Sequence, residues 1–528
     1  MKNRKDRSFT EEWELYEKGK EYNYSINLYE TVNTNERFYR GDQWDNLNAG
    51  GLPTPVFNIF KRIIGYFTSS IMQSPVKMRY TFNAPYGGNG FGEREASAAS
   101  GKLNKIADMR WEKNKMHNLL AQSLTDAAIS GDAVCYTYWD PDIKTGQPFT
   151  GDFKSVLMDN TNVFFGDPNS KNVQNQPYIL IAQRETVSAL INQAQKNGRP
   201  KEDIDKILAD DDSITQSGDR ARQEIEGTKC ISLIKLWRDE KGHILYRKSV
   251  KNAIIQDVTE TGLSLYPIAF YNWTEIKNSW HGQAVGTGLI DNQIFINKGF
   301  AMVMKHMMDT AFSKVVYDAT VLDGWSDRVG EAIAVNGPVE NVAKVLSPGV
   351  MQSGMLEVLS MAISNTKEFL GATDAALGDV APNNTSAILA LQNTSAVPLE
   401  NVKRNMYQFV EDIGLIWLDF MFTYYDDKRM VAMIEDGKES FESFSMSQFR
   451  DSLIGCKVDV GASSYWSEIS TLNTLDSLLK LGRITTVQYL ERLPNGLITE
   501  KEKLIEELRE ADAAQHGKEM TNLEENQQ

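Results

Sequence analysis

Cysteine and histidine are scarce in this chain: 528 residues hold three Cys and five His. Cys135, Cys230 and Cys456 lie far apart with no CxxC pair. That rules out a disulfide framework, points to a reducing setting, and leaves the thiols as small buried hydrophobes. No two of His117, His243, His281, His306 and His516 share a helical i, i+4 spacing, so a histidine-built zinc site has little support. No run approaches the roughly 18 uninterrupted apolar residues of a membrane-spanning helix. The opening MKNRKDRSFTEEW is basic but lacks an apolar core, so no cleaved secretory signal is expected. An excess of basic charge is missing too: 56 Lys and Arg face 71 Asp and Glu, a net charge of −15. That sign is wrong for a protein that wraps nucleic acid tightly. GxxxxGK[ST], HExxH and GxSxG are all absent, which removes the central device of an ATP-driven motor, a zinc protease and an elbow-type hydrolase. No cofactor is expected.

What is present is a folded composition, 41% hydrophobic and 24% charged, with length for about three or four packing units. The spacing predicts a first helix over 8–40, with Ser8 and Glu11 as a capping box and Trp13, Tyr16, Leu28 and Val32 as its apolar stripe. Pro53 and Pro55 break the chain before an amphipathic segment over 56–72. The glycine cluster in 83–95 reads as a loop, because a phosphate loop needs a Lys-Ser/Thr pair and a preceding strand. A long helical stretch over 97–130 follows. The period then changes to two over 133–139, with turns expected at Pro141 and Gly146. Further strands are expected at 178–182, 230–237, 243–246 and 265–271, separated by a charged stretch over 196–228. The first half is thus α+β.

From 283 to 310 the pattern is a helix apolar around most of its circumference, with Leu289, Ile290, Ile294, Phe300, Val303, Met304 and Met307. A turn-rich β segment over 312–348 and a helix over 350–370 come next. The stretch 371–386 has no basic residue and carries Asp374 and Asp379. A helical stretch over 386–426 should kink at Pro398. Near the end, a strand over 456–461 precedes small helices. One is faced by Leu472, Leu475, Leu478 and Leu479 and stopped by Gly482; the next opens on a Thr485–Gln488 capping box.

Candidate chemistry is thin. Asp140 and Asp142 flank Pro141 as turn residues do, and Asp210–Asp212 read as a solvated charge run. A metal-dependent nuclease using these acids is the minor alternative. His281 beside Trp280 has no partner placed by motif, so a structural role is favoured. Met302, Met304, Met307 and Met308 fit helical packing better than an adaptable binding surface. Two helices that are apolar nearly all round are hard for one chain to cover, whereas identical neighbours in a closed ring can cover them.

Several segments, in order, resemble the portal protein family of tailed double-stranded DNA bacteriophages. They are FYRGDQW (38–44), PVFNIFKRIIGY (55–66), YPIAFYNW with HGQAVGTGLIDNQIFINK (266–298), APNNTSAILALQ (381–392) and VDVGASSYWSE (458–468). The resemblance implies an α+β portal fold: a wing over 1–282 completed by 427–465, stem helices over 283–311 and 350–370, and a clip over 312–349. It further implies a tunnel loop over 371–385, a long kinked helix over 386–426, a crown over 466–515 and an acidic flexible tail over 516–528. Asp374, Asp379, Val380, Asn383 and Asn384 would face DNA in the tunnel loop. Lys298, Lys305 and Lys367 would offer stem contacts to phosphate. Trp325, Asp327 and Arg328 would form a docking surface on the clip. The implied assembly is a ring of about twelve subunits at one capsid vertex, formed in the host cytoplasm and carried in the virion. Implied partners are the passing DNA, the terminase large subunit, a head-completion adaptor, and major capsid and scaffold proteins; no membrane is involved. Another virion connector component is the alternative within the same class.

Overall fold

The computed structural model describes residues 10–45, 47–73, 76–83, 93–145, 150–210, 228–311, 314–322, 342–346, 354–369, 397–425, 430–435, 438–443, 453–459 and 474–493, with isolated positions elsewhere. The expected helix over 8–40 is two helices, α1 (Glu11–Ser25) and α2 (Leu28–Arg40). Asn27 breaks them with a left-handed backbone (φ 57°), which an Asn side chain tolerates better than most. Ser8 lies outside the described residues; Thr10 precedes the helix and makes no side-chain cap. Its hydroxyl donates instead to the Val250 carbonyl at 3.2 Å, tying α1 to the sheet below.

Helix α3 (Ile59–Ile71) buries Phe60, Ile63, Ile64, Phe67 and Ile71 on one face. Strand β1 (Lys77–Asn83) follows it. The stretch expected as one helix over 97–130 is also two, α4 (Glu93–Lys113) and α5 (Met116–Ser130). They part where Lys115 turns left-handed (φ 51°), which redirects α5 so that Met116, Leu120 and Leu124 are all buried.

Two antiparallel sheets form the β part of the body. The first is β2 (Asp132–Lys144), β3 (Thr150–Met158) and β9 (Ile268–Asn272), in the order β3-β2-β9. Strand β2 runs on through Pro141, where a turn is expected from the sequence. A register irregularity between Asp140 and Lys144 accommodates the residue that cannot donate. The second sheet is β4 (Val163–Phe165), β5 (Tyr178–Thr186), β6 (Lys229–Arg238), β7 (Ile244–Val250) and β8 (Ala253–Glu260), paired in that order. Helices α6 (Val187–Lys196) and α7 (Lys201–Ile204) pack at its edge.

A pair of helices leaves and re-enters this body: α8 (Ile290–Ala311) and α9 (Gly354–Phe369). Between them β10 (Lys314–Tyr317) pairs with β11 (Ala343–Leu346). Helix α8 starts later than the expected 283. Gln283 is held in a β-bridge to Thr274, and a 3-10 turn over 287–289 intervenes.

The chain then crosses the body as α10 (Glu400–Tyr424), about 37 Å long at 1.5 Å per residue. Its buried face holds Phe409, Ile413, Trp417, Phe420 and Met421. The Trp417 indole donates to Ser155 Oγ at 2.9 Å, and Asp419 accepts from the amides of Ser264 and Leu265 at 2.8 and 2.9 Å. Tyr80 on β1, fully buried, donates to the Gly414 carbonyl at 2.7 Å. Gly414 must lack a side chain, because a Cβ there would overlap the Cys456 sulfur.

Strands β12 (Met430–Glu435) and β13 (Lys438–Ser443) form a hairpin. Strand β14 (Leu453–Asp459) returns to pair antiparallel with β1. Toward the end, residues 474–480 are helical (α11), and α12 (Thr486–Arg492) opens on the expected capping box. Gln488 N donates to Thr485 Oγ1 at 3.2 Å and Thr485 N to Gln488 Oε1 at 3.1 Å.

Candidate functional site

The site is the root and outer surface of the α8–α9 pair. Two polar residues one helical turn apart, Gln293 and Asn297, are buried on the inner face of α8. Gln293 Oε1 accepts from the amides of Ile59 and Phe60 at 3.1 and 3.3 Å, two of the donors that a helix start leaves without intrahelical partners. Asn58 caps the same helix, its Oδ1 accepting from Lys61 N at 2.9 Å. The Gln293 amide donates to the Phe57 carbonyl at 2.7 Å and to Asn297 Oδ1 at 3.0 Å. Asn297 Nδ2 donates to Gln43 Oε1 at 2.6 Å, and Gln43 Nε2 to the Phe38 carbonyl at 3.0 Å. The indole of Trp44 donates to the Pro55 carbonyl at 2.8 Å. The segments 38–44, 55–66 and 281–298, distant in sequence, thus converge on one buried polar cluster.

Beyond the root the pair is held close. Gly299 sits under Leu359 of α9, and a Cβ at that glycine would overlap Leu359 Cδ2. From Met304 outward no described residue of α8 is buried. Phe295, Met302, Met307 and Met308 on α8, with Leu356, Val358 and Met361 on α9, are exposed, and Phe369 is 89% exposed. Phe295, Lys298, Met302, Lys305 and Asp309 follow one another at spacings of three and four residues, which puts them on one face. Lys298 is exposed, Lys305 pairs with Asp309 at 2.8 Å, and Lys367 is half-buried near the end of α9.

Of the other residues singled out from sequence, Asp374, Asp379, Val380, Asn383, Asn384, Trp325 and Asp327 lie outside the described residues. Arg328 is exposed, its amide donating to Ser326 Oγ at 3.4 Å. Pro398 sits in the 3-10 turn Val397–Leu399 leading into α10, where a missing N–H forfeits no helix hydrogen bond. The methionines expected to pack as helical core, Met302, Met304, Met307 and Met308, are instead exposed among the described residues.

The candidate acids and thiols have structural partners. Asp140 Oδ1 accepts from the Asp142 amide at 3.0 Å, a local turn contact. Asp210 pairs with Arg184 at 2.7 Å and accepts from Ile231 N at 2.9 Å. His281 is buried, its Nδ1 2.7 Å from Asp132 Oδ2 and its ring 3.7 Å from that of Trp280. Asp132 also accepts from Asn272 Nδ2 at 2.7 Å, the Gly282 amide at 2.6 Å and Asn160 Nδ2 at 2.9 Å, so its charge is consumed in fastening three segments. His281 Nε2 meets no hydroxyl or thiol among the described residues, which leaves the pair without a nucleophile. Burial pushes the thiols of Cys135, Cys230 and Cys456 each up to about 12, far from the thiolate a nucleophile needs. Among the described residues no helix is long and apolar enough to cross a membrane.

The sequence reading missed the cluster of Gln43, Gln293 and Asn297. The available signal was two amide side chains at i, i+4 inside an otherwise apolar helical run, where a polar residue needs a buried partner.

Among the described residues, this α+β body carries a helical pair with exposed apolar faces, and contiguous surface of that kind is what association sites use. Residues 238–461 match the family model described as Phage P22-like portal protein, and this match supports a phage portal protein. The match bears out the resemblance read from the sequence and supports a phage portal function. That family is structural and not generally enzymatic; it implies a ring oligomer at a virion capsid vertex, together with DNA and phage proteins. No curated protein matches the chain.

Proposed function

We propose that this chain forms the ring through which a phage genome is packaged and later ejected, with α8 and α9 as stem helices lining the channel. The observation that carries the reading is the exposed face of α8, where Phe295 and Met302 alternate with Lys298 and Lys305. The apolar members suit burial against a neighbouring copy. The two lysines, about two turns apart, give weak, sequence-independent contact to passing phosphate. The Lys305–Asp309 pair lowers the local positive charge, which suits DNA that must slide. In this reading 1–282 with 427–465 is the wing, 312–349 the clip, and 466–515 the crown. Segment 371–385 is the tunnel loop, whose Asp374 and Asp379 repel the phosphate backbone when repeated around a ring. The clip, through Trp325, Asp327 and Arg328, docks the terminase large subunit and then the head-completion adaptor.

The test is the mass and symmetry of the purified protein, by native mass spectrometry with class averages from negative stain. Closed rings of about twelve copies with a central hole are expected. A chain that stays monomeric even with scaffold and capsid proteins added would sink the reading. Deleting 374–384 should leave rings intact and impair packaging; full packaging by such rings would remove the loop from the mechanism.

A further inference from the structure

We propose a divalent transition-metal site on the five-stranded sheet, built from Asp239, His243 and Glu260, whose ligand atoms all lie within 4.8 Å of one another. Two of the three sit at the ends of one tight turn. Between β6 and β7 the chain reverses over Asp239–His243, closed by Asp239 N donating to the His243 carbonyl at 3.0 Å. Asp239 Oδ1 accepts from the amides of Lys241 and His243 at 2.9 and 2.8 Å. One carboxylate oxygen therefore fixes the turn while the other is left for a cation. The third ligand comes from the end of β8, where pairing sets Glu260 opposite Leu245 and carries its carboxylate to 2.5 Å from His243 Nδ1. The Thr261 amide and hydroxyl donate to the Ile244 carbonyl at 3.0 and 2.7 Å, clamping the end of β8 onto β7.

The donor set decides the class of ion. One imidazole and two carboxylates suit zinc and its first-row neighbours, whereas magnesium and calcium prefer oxygen alone. Two carboxylates and a neutral imidazole also balance a divalent charge. In a tetrahedral site with ligands at about 2.0–2.1 Å, donor atoms stand roughly 3.4 Å apart. Small rotations of these partly exposed side chains cover the difference, and the fourth position falls to water. Arg238, next to Asp239 in the chain, is engaged elsewhere, with the carbonyls of Gly242 and Ser264 at 2.9 and 2.7 Å and with Gln174 at 3.0 Å. Paired histidines one helical turn apart, the pattern absent from this sequence, are not required, because three strand ends supply the ligands. Bound metal would pin the end of β8 to the β6–β7 turn.

The experiment is titration of the full-length protein with CoCl2, read by the visible absorption of tetrahedral cobalt, and with ZnCl2 by calorimetry. His243→Ala and Glu260→Gln variants run alongside, with circular dichroism to check their fold. One ion per chain is expected, with zinc displacing cobalt, millimolar magnesium displacing neither, and affinity falling at least about tenfold in each variant. No binding, binding unchanged in either variant, or displacement by magnesium would each overturn the site. These outcomes are independent of whether the protein forms rings.

Discussion

Replacing Gln293 with Met keeps the length and volume of the side chain and removes every hydrogen bond it makes. The Phe60 amide loses its acceptor, while the Ile59 amide and the Phe57 carbonyl lose one partner each but keep their bond to one another at 2.7 Å. Phe60 is 1% exposed, so water cannot substitute there without opening the structure. A buried polar group left unpaired costs about 1–3 kcal/mol, and Asn297 Oδ1 keeps a weaker partner in the Phe57 amide at 3.4 Å. The expected loss is about 1–3 kcal/mol, essentially that of the one unpaired Phe60 amide. A loss of that size raises the local opening constant roughly 5- to 150-fold. Amide hydrogen exchange at Phe60 is the assay, since it reads that opening directly. Gln293→Glu is the control, because it keeps an acceptor for the start of α3, where a negative charge is favourable. It should protect the Phe60 amide better than Met does. Unchanged exchange at Phe60 in the Met variant would refute the claim that Gln293 fastens the helical pair to the body.

Gly299→Ala should destabilise by about 1–3 kcal/mol through overlap with Leu359, and Leu359→Ala in the same chain should recover part of it. Strictly additive losses in urea unfolding would show that the two do not meet. Asp126 is held up at about 7 from 3.8 by burial and by the neighbouring Asp159 and Glu36 carboxylates. Its folded state therefore binds a proton that the unfolded state releases, so stability is full below about pH 4 and falls as pH rises to 7. A fully dry carboxyl shifted that far would cost about 4 kcal/mol; with some water access about 2 kcal/mol is expected. Asp126→Asn should flatten that slope and stabilise the protein at pH 8, and an unchanged slope would refute the assignment. Tyr80→Phe should cost about 1 kcal/mol through its bond to the Gly414 carbonyl, read as a lowered urea midpoint at unchanged slope.

Local signals carried far in this sequence. The broad apolar run ending at Thr310 is α8, the run over 350–370 is α9 at Gly354–Phe369, and the Thr485–Gln488 box is present in both of its hydrogen bonds. Helix breaks without glycine or proline were not legible: Asn27 and Lys115 turn left-handed because of what their neighbours must reach. Strand β1 was missed, although Lys77, Met78, Arg79, Tyr80 and Thr81 alternate in the required way. Its pairing with β14 depends on a segment far along the chain, which periodicity cannot indicate. The polar root was hidden for the same reason, since Gln43, Phe57 and Gln293 become neighbours only after three segments dock. Of the expected site, the lysines fall on the projecting helices. The carboxylates of 374–379 belong to a stretch whose placement lies outside the described residues.

The β1–β14 pair also sets a schedule for synthesis. Tyr80 is sealed by Gly414 and Cys456 lies against the same glycine, so this side of the core closes only after residue 459 has left the ribosome. At typical rates of translation β1 waits on the order of tens of seconds without its strand partner, an edge able to pair wrongly. The helical pair is made during that wait, on a body still open. The growing chain thus exposes the apolar faces of α8 and α9 before its own fold is finished, and a chaperone that covers β1 would keep that edge from pairing wrongly.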